Sequence, residues 1–453
     1  MIRGDTNSDS IPIDLVNDIF SRLPVKSIAR FCCLSKLWGS MFHSPYFTGL
    51  FLTRSSARPQ RLLLVLEGES NDEWCFFTSP QPHIPYEKSP SLVVAADFHM
   101  KFQGKLLEFY CRASGLFYFR RAYTALERYV TCNPCTGRYL PIPKGRRALW
   151  RSFLGFDPVD KQFKVFSISF PNYDEGKENQ YRIMTLGTGK DSWRKIRCPL
   201  NHVSTLHLPE GICINGVLYY LAQQIPKQAG GECLYVIVCF DVRSEKFRFM
   251  YRDSMIYREG ATMFNYKGKL GVSTVKRDYY TRTLDVCMWV INDDEKQDSE
   301  WPKYFSFCWD DKVVNYFHLE LKSKYFSIVG VTATGEIVFS QEIVSTPPFY
   351  VFYLNPEKNT IQRVEIQGFG YNQIDNEDCY RRVLVFVDYV EDLKFITMKT
   401  TYSAATSISP SEQKRDEPMI TSSEAHLQQE DGCTFEIINR FDSLRLLDDD
   451  DFT

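Results

Sequence analysis

Nothing in this sequence is expected to span a membrane as a helix or to act as a secretory signal. No apolar run comes near the roughly 18 residues a spanning helix needs. Met1 to Ser10 is polar and has no apolar leader core. One-sided charge is missing too: 54 Lys and Arg against 56 Asp and Glu leave a formal net charge of −2, so no overall field draws it to nucleic acid. The basic cluster Lys144-Gly145-Arg146-Arg147 reads as solvated loop charge. The expected location is intracellular, in nucleus or cytoplasm. There the 14 irregularly spaced cysteines stay reduced and act mostly as small core hydrophobes.

Catalytic and metal signatures are equally scarce. The seven histidines (His43, His83, His99, His202, His207, His318, His426) form no H-E-x-x-H and pair with no G-x-S-x-G elbow. Cys132 and Cys135 make one C-x-x-C without a second ligand pair for zinc, inside a hairpin signature. Leu186-Gly187-Thr188-Gly189-Lys190-Asp191-Ser192 fails as a phosphate loop. Asp191 stands where Ser or Thr would hold magnesium, and a hairpin turn between Tyr181–Thr185 and Trp193 accounts for it. No cofactor or metal is expected.

What the chain does have is aromatic residues (Phe 34, Tyr 26, Trp 7), which favour strands, and 453 residues, enough for two or three domains. Residues 11–55 follow a helical rhythm. Pro12 is tolerated in a first helical turn. Leu15, Val16, Ile19, Phe20 and Leu23 then recur on one face, and Pro24 stops that helix and opens the next. Val25, Ile28, Phe31 and Cys32 make a second stripe. Leu34, Leu37, Trp38, Met41 and Phe42 make a third, and Tyr46, Phe47, Leu50 and Phe51 a short fourth after Pro45. Stripes so wide on helices so short exceed what one small core can cover, and a surplus of that kind points to a partner protein.

This segment resembles the F-box, the helical module that docks on the Skp1 adaptor of cullin ubiquitin ligases. The matching residues are Pro12, Leu15, Ile19, Arg22, Leu23, Pro24, Lys26, Ser27, Arg30, Phe31, Cys33, Ser35, Lys36, Trp38, Ser44, Pro45 and Phe47, at the right spacing and without gaps. Ile11, Phe20, Ile28 and Leu34 depart from the usual residue but remain apolar. Cys32 stands where plant members often carry Arg. The resemblance implies Skp1 docking through Pro12, Leu15, Ile19, Leu23 and Pro24.

Beyond residue 60 the rhythm is that of strands. A polar residue and Gly launch short strands at Gly104, Gly216, Gly268 and Gly335. An Asn or Asp opens a polar turn at Asn133-Pro134, Asp157-Pro158, Asp241-Val242 and Asn355-Pro356. Gly216 to Gly268 is 52 residues and Gly268 to Gly335 is 67, a repeat that marks β-propeller blades. Units fall at about 61–100, 103–142, 150–197, 210–252, 262–308 and 317–366, six in all, with Val383–Val387 placed to return and close the ring. The run is similar to the F-box-associated domain of plant F-box proteins. It carries Asn133-Pro134-Cys135-Thr136, Gly155-Phe156-Asp157-Pro158, Ile214-Asn215-Gly216-Val217-Leu218-Tyr219-Tyr220 and Trp289-Val290 in the family's order. From about residue 400, polar and acidic residues dominate, ending in Asp448–Asp451, which reads as a mostly disordered tail.

The expected fold is therefore mainly β with a small all-α N-terminal module. Residues 1–10 are disordered, 11–55 form the F-box, 56–396 a propeller-like target-binding domain and 397–453 the tail. By resemblance, the expected function is the non-catalytic substrate receptor of a Skp1–cullin–F-box ubiquitin ligase, with a Skp1-like adaptor, a cullin reached through it and an unknown protein target as partners. Two alternatives stay open: a propeller enzyme acting on a small molecule or sugar, and a Skp1-binding scaffold that recruits no cullin. The polar inserts Tyr173–Gln180 and Asn292–Glu300 are candidate target loops.

Overall fold

A computed structural model describes most of residues 11–394, with its widest interruptions at 170–178, 252–260, 292–302, 310–325 and 369–380, and in addition Ile437–Ile438. Four helices come first: α1 (Ile13–Ser21), α2 (Val25–Leu34), α3 (Lys36–Phe42) and α4 (Pro45–Ser56). Prolines and serines set their starts. Pro24 caps α2 and its carbonyl accepts from the Ser27 N–H at 2.9 Å. Ser35 and Ser44 cap α3 and α4 by accepting from the Leu37 and Phe47 N–H groups.

The strands then sort into six four-stranded antiparallel blades. Blade 2 is Leu107–Ala113, Leu116–Arg121, Arg128–Asn133 and Arg138–Pro141. Blade 3 is Arg151–Asp157, Gln162–Ser169, Gln180–Thr185 and Arg194–Ile196. Blade 4 is Gly211–Ile214, Val217–Gln224, Tyr235–Asp241 and Phe247–Tyr251. Blade 5 is Thr262–Tyr266, Lys269–Asp278, Thr283–Ile291 and Lys303–Trp309. Blade 6 is Phe326–Val331, Ile337–Gln341, Phe349–Asn355 and Thr360–Gln367. Blade 1 takes its innermost strand from the far end of the chain. Arg381–Tyr389 pairs with Arg61–Glu67, which continues to Glu73–Pro80 and Asp97–Gln103. The expected return of Val383–Val387 is thus how the ring closes. Ser91–Ala95 leaves blade 1 to lie parallel on the outer strand of blade 6, a second tie across the seam. Of the tail, Ile437–Ile438 runs beside Phe102 and Lys101, and the rest lies outside the described residues, as does Lys144–Arg147.

The described turn signatures are where the sequence placed them. Asn215-Gly216 and Lys267-Gly268 have positive φ at both residues (47° and 86°, 47° and 84°), the twist that a two-residue hairpin needs. Asn133, Asp157 and Asn355 each accept the N–H two residues on. Gly104 lies outside the described residues, just before the strand Leu107–Ala113. The hairpin glycine of blade 2 is Gly115, φ 79°, after Ser114, φ 42°. The strands that flank 186–193, Gln180–Thr185 and Arg194–Ile196, pair antiparallel, as a hairpin requires, and residues 189–191 lie outside the described residues.

Apolar cores lie between neighbouring blades. Phe339 and Val286 belong to the seam of blades 5 and 6, Leu64 and Val351 to that of 6 and 1, and Phe76 and Phe119 to that of 1 and 2. Blades 2, 3 and 4 share one large cluster, and their inner strands crowd the axis. Gly211 and Ile212 of blade 4 pair in parallel with Cys111 and Arg112 of blade 2. A Cβ on Gly211 would come within 2.7 Å of the Phe153 ring, so only glycine fits where these strands meet.

Candidate functional site: the helical module and its seat

Inside the helical module the apolar stripes divide. Phe20, Val25, Ile28, Phe42, Phe47 and Phe51 are buried together, and the Phe20 ring meets Phe31, Trp38 and Phe42 at centroid distances of 4.7 to 5.2 Å. Others stay in solvent. Leu15 is 56% exposed and Ile19 53%, while Leu34 and Leu37 are each 72% exposed. Pro12 and Pro24 are exposed as well, whereas Leu23 is half-buried against the helical core. Of the five residues expected to dock, four therefore stand on the surface, and the fifth braces the core behind them. Patches of this density on so small a unit mark protein contact.

Polar groups fix the module to the propeller. Arg58, just after α4, donates to the Glu391 carboxylate at 2.9 Å and to the carbonyls of Ser21 and Leu23. The Val25 N–H also reaches Glu391. Lys26 Nζ donates to the Phe98 carbonyl at 2.6 Å, and Arg138 meets the His43 ring. Cys135 and Leu393 pack against the helical core. Burial pushes the Glu391 carboxyl above its ordinary range, while the Arg58 guanidinium works to hold it charged. Sequence reasoning missed Arg58 and Glu391, because partners 333 residues apart leave no local pattern.

All of these contacts lie on one face of the ring. Blades alternate up and down, so first-to-second and third-to-fourth turns share a face, and second-to-third and blade-to-blade connections share the opposite one. The helical module touches Cys135 and Arg138 in a third-to-fourth turn, and the run after Tyr389, all on the first face. The second face is left uncovered by the helices. Leu234 and Tyr280, 42% and 100% exposed, sit there on blades 4 and 5. The strands flanking 173–180 end on this second face and those flanking 292–300 on the first. Both inserts lie outside the described residues, except Asn179 and Gln180.

Among the described residues, several chemistry-bearing side chains are held within the fold. The Cys135 thiol lies 2.8 Å from the Tyr389 hydroxyl, and Cys132 is fully buried. Every described cysteine is a free thiol. His202 is buried, Nδ1 2.9 Å from the Leu200 carbonyl and Nε2 2.8 Å from the Tyr220 hydroxyl, so a neutral ring donates at one nitrogen and accepts at the other. Among the described residues no group of three or more His, Cys, Asp or Glu is arranged to hold a metal, and no helix is long and apolar enough to cross a membrane.

Comparison with known proteins agrees with this division. Residues 8–49 match the F-box domain, and residues 61–390 match the F-box associated beta propeller domain. Three relatives from Arabidopsis thaliana, each named as an F-box protein, share 48%, 45% and 44% identity. The first alignment covers 91% of this chain and 100% of the relative, the second 99% and 81%, the third 88% and 95%. With helices that leave an apolar side bare, a ring closed by its own last strand, and both matches in this order, the chain belongs to the F-box proteins that carry an F-box-associated β-propeller domain.

Proposed function

We propose that this chain is the substrate receptor of a Skp1–cullin–F-box ubiquitin ligase and performs no bond chemistry itself. A Skp1-like adaptor covers the bare side of the helical module around Pro12, Leu15, Ile19 and Pro24, with Leu23 behind them, and links it to a cullin. The propeller holds a protein target by its second face. Such a receptor acts by proximity, raising the effective concentration of target lysines near a ubiquitin thioester. No cofactor is needed. Since family members work inside cells, we place it in nucleus or cytoplasm.

The observation that carries this reading is the exposure of Leu15 and Ile19 on a helix whose opposite side supplies Phe20 to the core. The axis supports a surface rather than a cavity. The inner strands of blades 2 and 4 pair directly where a propeller enzyme keeps its axial site. In the test, Leu15 and Ile19 are changed together to Asp and the chain is co-purified with Skp1. Capture is lost because charge would be buried in an apolar contact, while thermal unfolding is unchanged because both positions are exposed. Undiminished capture would overturn the docking face. Immunoprecipitates probed for cullin then separate a ligase receptor from a scaffold.

A further inference from the structure

The stretch Arg381–Lys394 does two things at once. Arg381–Tyr389 closes the ring against Arg61–Glu67. Residues 389–394 then run straight under the helical module, where Glu391 meets Arg58 and the Val25 N–H, and Leu393 packs on the helical core. This run is gripped from below by one side chain. Asn133 Nδ2 donates to the carbonyls of Asp392 at 3.0 Å and Lys394 at 2.7 Å, and Asn133 is 1% exposed. Cys135, in the same turn, pairs its thiol with the Tyr389 hydroxyl and accepts from the Asp392 N–H. Lys394 Nζ rests 4.3 Å from the Phe156 ring centroid, tying the run to blade 3.

The same Asx turn recurs without that grip. In blade 6, Asn355 Oδ1 accepts from the N–H groups of Glu357 and Lys358, as Asn133 Oδ1 accepts from Cys135. A turn alone needs only the acceptor oxygen, and Asp241 supplies it in blade 4. At residue 133 the amide nitrogen has a second task that an aspartate could not perform.

We propose that residues 389–394 form a clasp that fixes the F-box at one position on the propeller, with Asn133 and Glu391 as its positioning residues. The inference rests on the receptor reading for its purpose: a target held on one face is presented at a set distance from an adaptor held on the other. A loose clasp leaves both binding surfaces intact and scatters the distance between them. Closure of the ring and seating of the F-box become one event, since a single run of chain performs both.

The test uses the full chain with a donor and an acceptor dye on unnatural amino acids at exposed Ser40 in α3 and exposed Lys246 in blade 4. Asn133→Asp keeps the turn acceptor but faces two carbonyls with an oxygen. Glu391→Gln keeps the shape but weakens the pairing with Arg58. Both variants are expected to broaden the dye-to-dye distance distribution. Exchange at the Val25 amide is expected to accelerate by about tenfold, the equivalent of one lost hydrogen bond. Amides of blade 5 keep their wild-type exchange, which separates a loosened clasp from an unfolded propeller. An unchanged distance distribution in both variants, with blade 5 intact, would overturn the clasp. The distance readout needs no adaptor, so failure of Skp1 capture in the wild-type chain would sink the receptor reading and leave the clasp standing.

Discussion

Phe20 and Ile19 are neighbours in α1 with opposite fates: one 7% exposed among aromatic rings, the other 53% exposed. Truncation should separate them. Phe20→Ala removes a ring from a packed site and is expected to cost about 3 kcal/mol or more of stability, read as a lowered denaturation midpoint. Ile19→Ala should leave that midpoint within about 0.5 kcal/mol, as surface changes do, and weaken adaptor capture instead. Burial also sets a pH response. Burial pushes the imidazole of His202 down to about 4, and burial with Lys26 nearby pushes His99 down to about 4. Both values lie below the ordinary 6.5, so the unfolded chain takes the proton more readily than the folded one. Stability is full above that ordinary value and falls as pH drops toward 4, by about 1.4 kcal/mol per unit for each ring at most. Glu391 and Asp392, whose carboxyls burial pushes up, work in the opposite sense. Comparing wild type with His202→Gln isolates the histidine: the variant should lose less stability between pH 7 and 5. Equal losses would mean the ring is charged in the fold.

Elements show what a sequence can and cannot disclose. The helices were legible because prolines 12, 24 and 45 punctuate stripes of helical period, while the caps from Ser35 and Ser44 were seen only in the structure. Hairpins were legible because Asn-Gly, Lys-Gly and Asx turns have local chemistry, and the blades followed from their spacing. Pairings made at long range were not. That Ser91–Ala95 would cross to blade 6 has no local signature, because a parallel edge pairing is set by where its partner ends up. The bare apolar side of α1 was legible as apolar surplus, whereas the seat built by Arg58, Glu391 and Asn133 was not. The closing strand does admit a prediction. Val385 is 4% exposed and sits opposite Leu64 in the core between blades 6 and 1. Val385→Lys puts an unpaired charge there, and loss of cooperative unfolding in calorimetry is the expected outcome.

At the scale of the molecule, the ring has two faces with different constraints. The first carries tight turns whose residues are committed to one another and to the helices: Asn215 donates to the Gly268 carbonyl, and Asn133 to the run beneath the F-box. A substitution there disturbs geometry before it changes recognition. On the second face, longer connections join the same strands, and surface loops are where binding specificity is commonly carried. Leu234 and Tyr280 stand on that face on adjacent blades, whereas Val159, 61% exposed, stands on the first. If the target sits on the second face, Leu234→Ala with Tyr280→Ala should deplete a set of partners from proximity labelling under proteasome inhibition, since truncating a central aromatic anchor costs about 2 kcal/mol or more. Val159→Ala should leave the set intact, and both variants should capture Skp1 as well as wild type. Depletion by Val159→Ala alone would place the target beside the adaptor, on the same face as the helices. The clasp would then have no span to set, because adaptor and target would share one rigid edge of the ring.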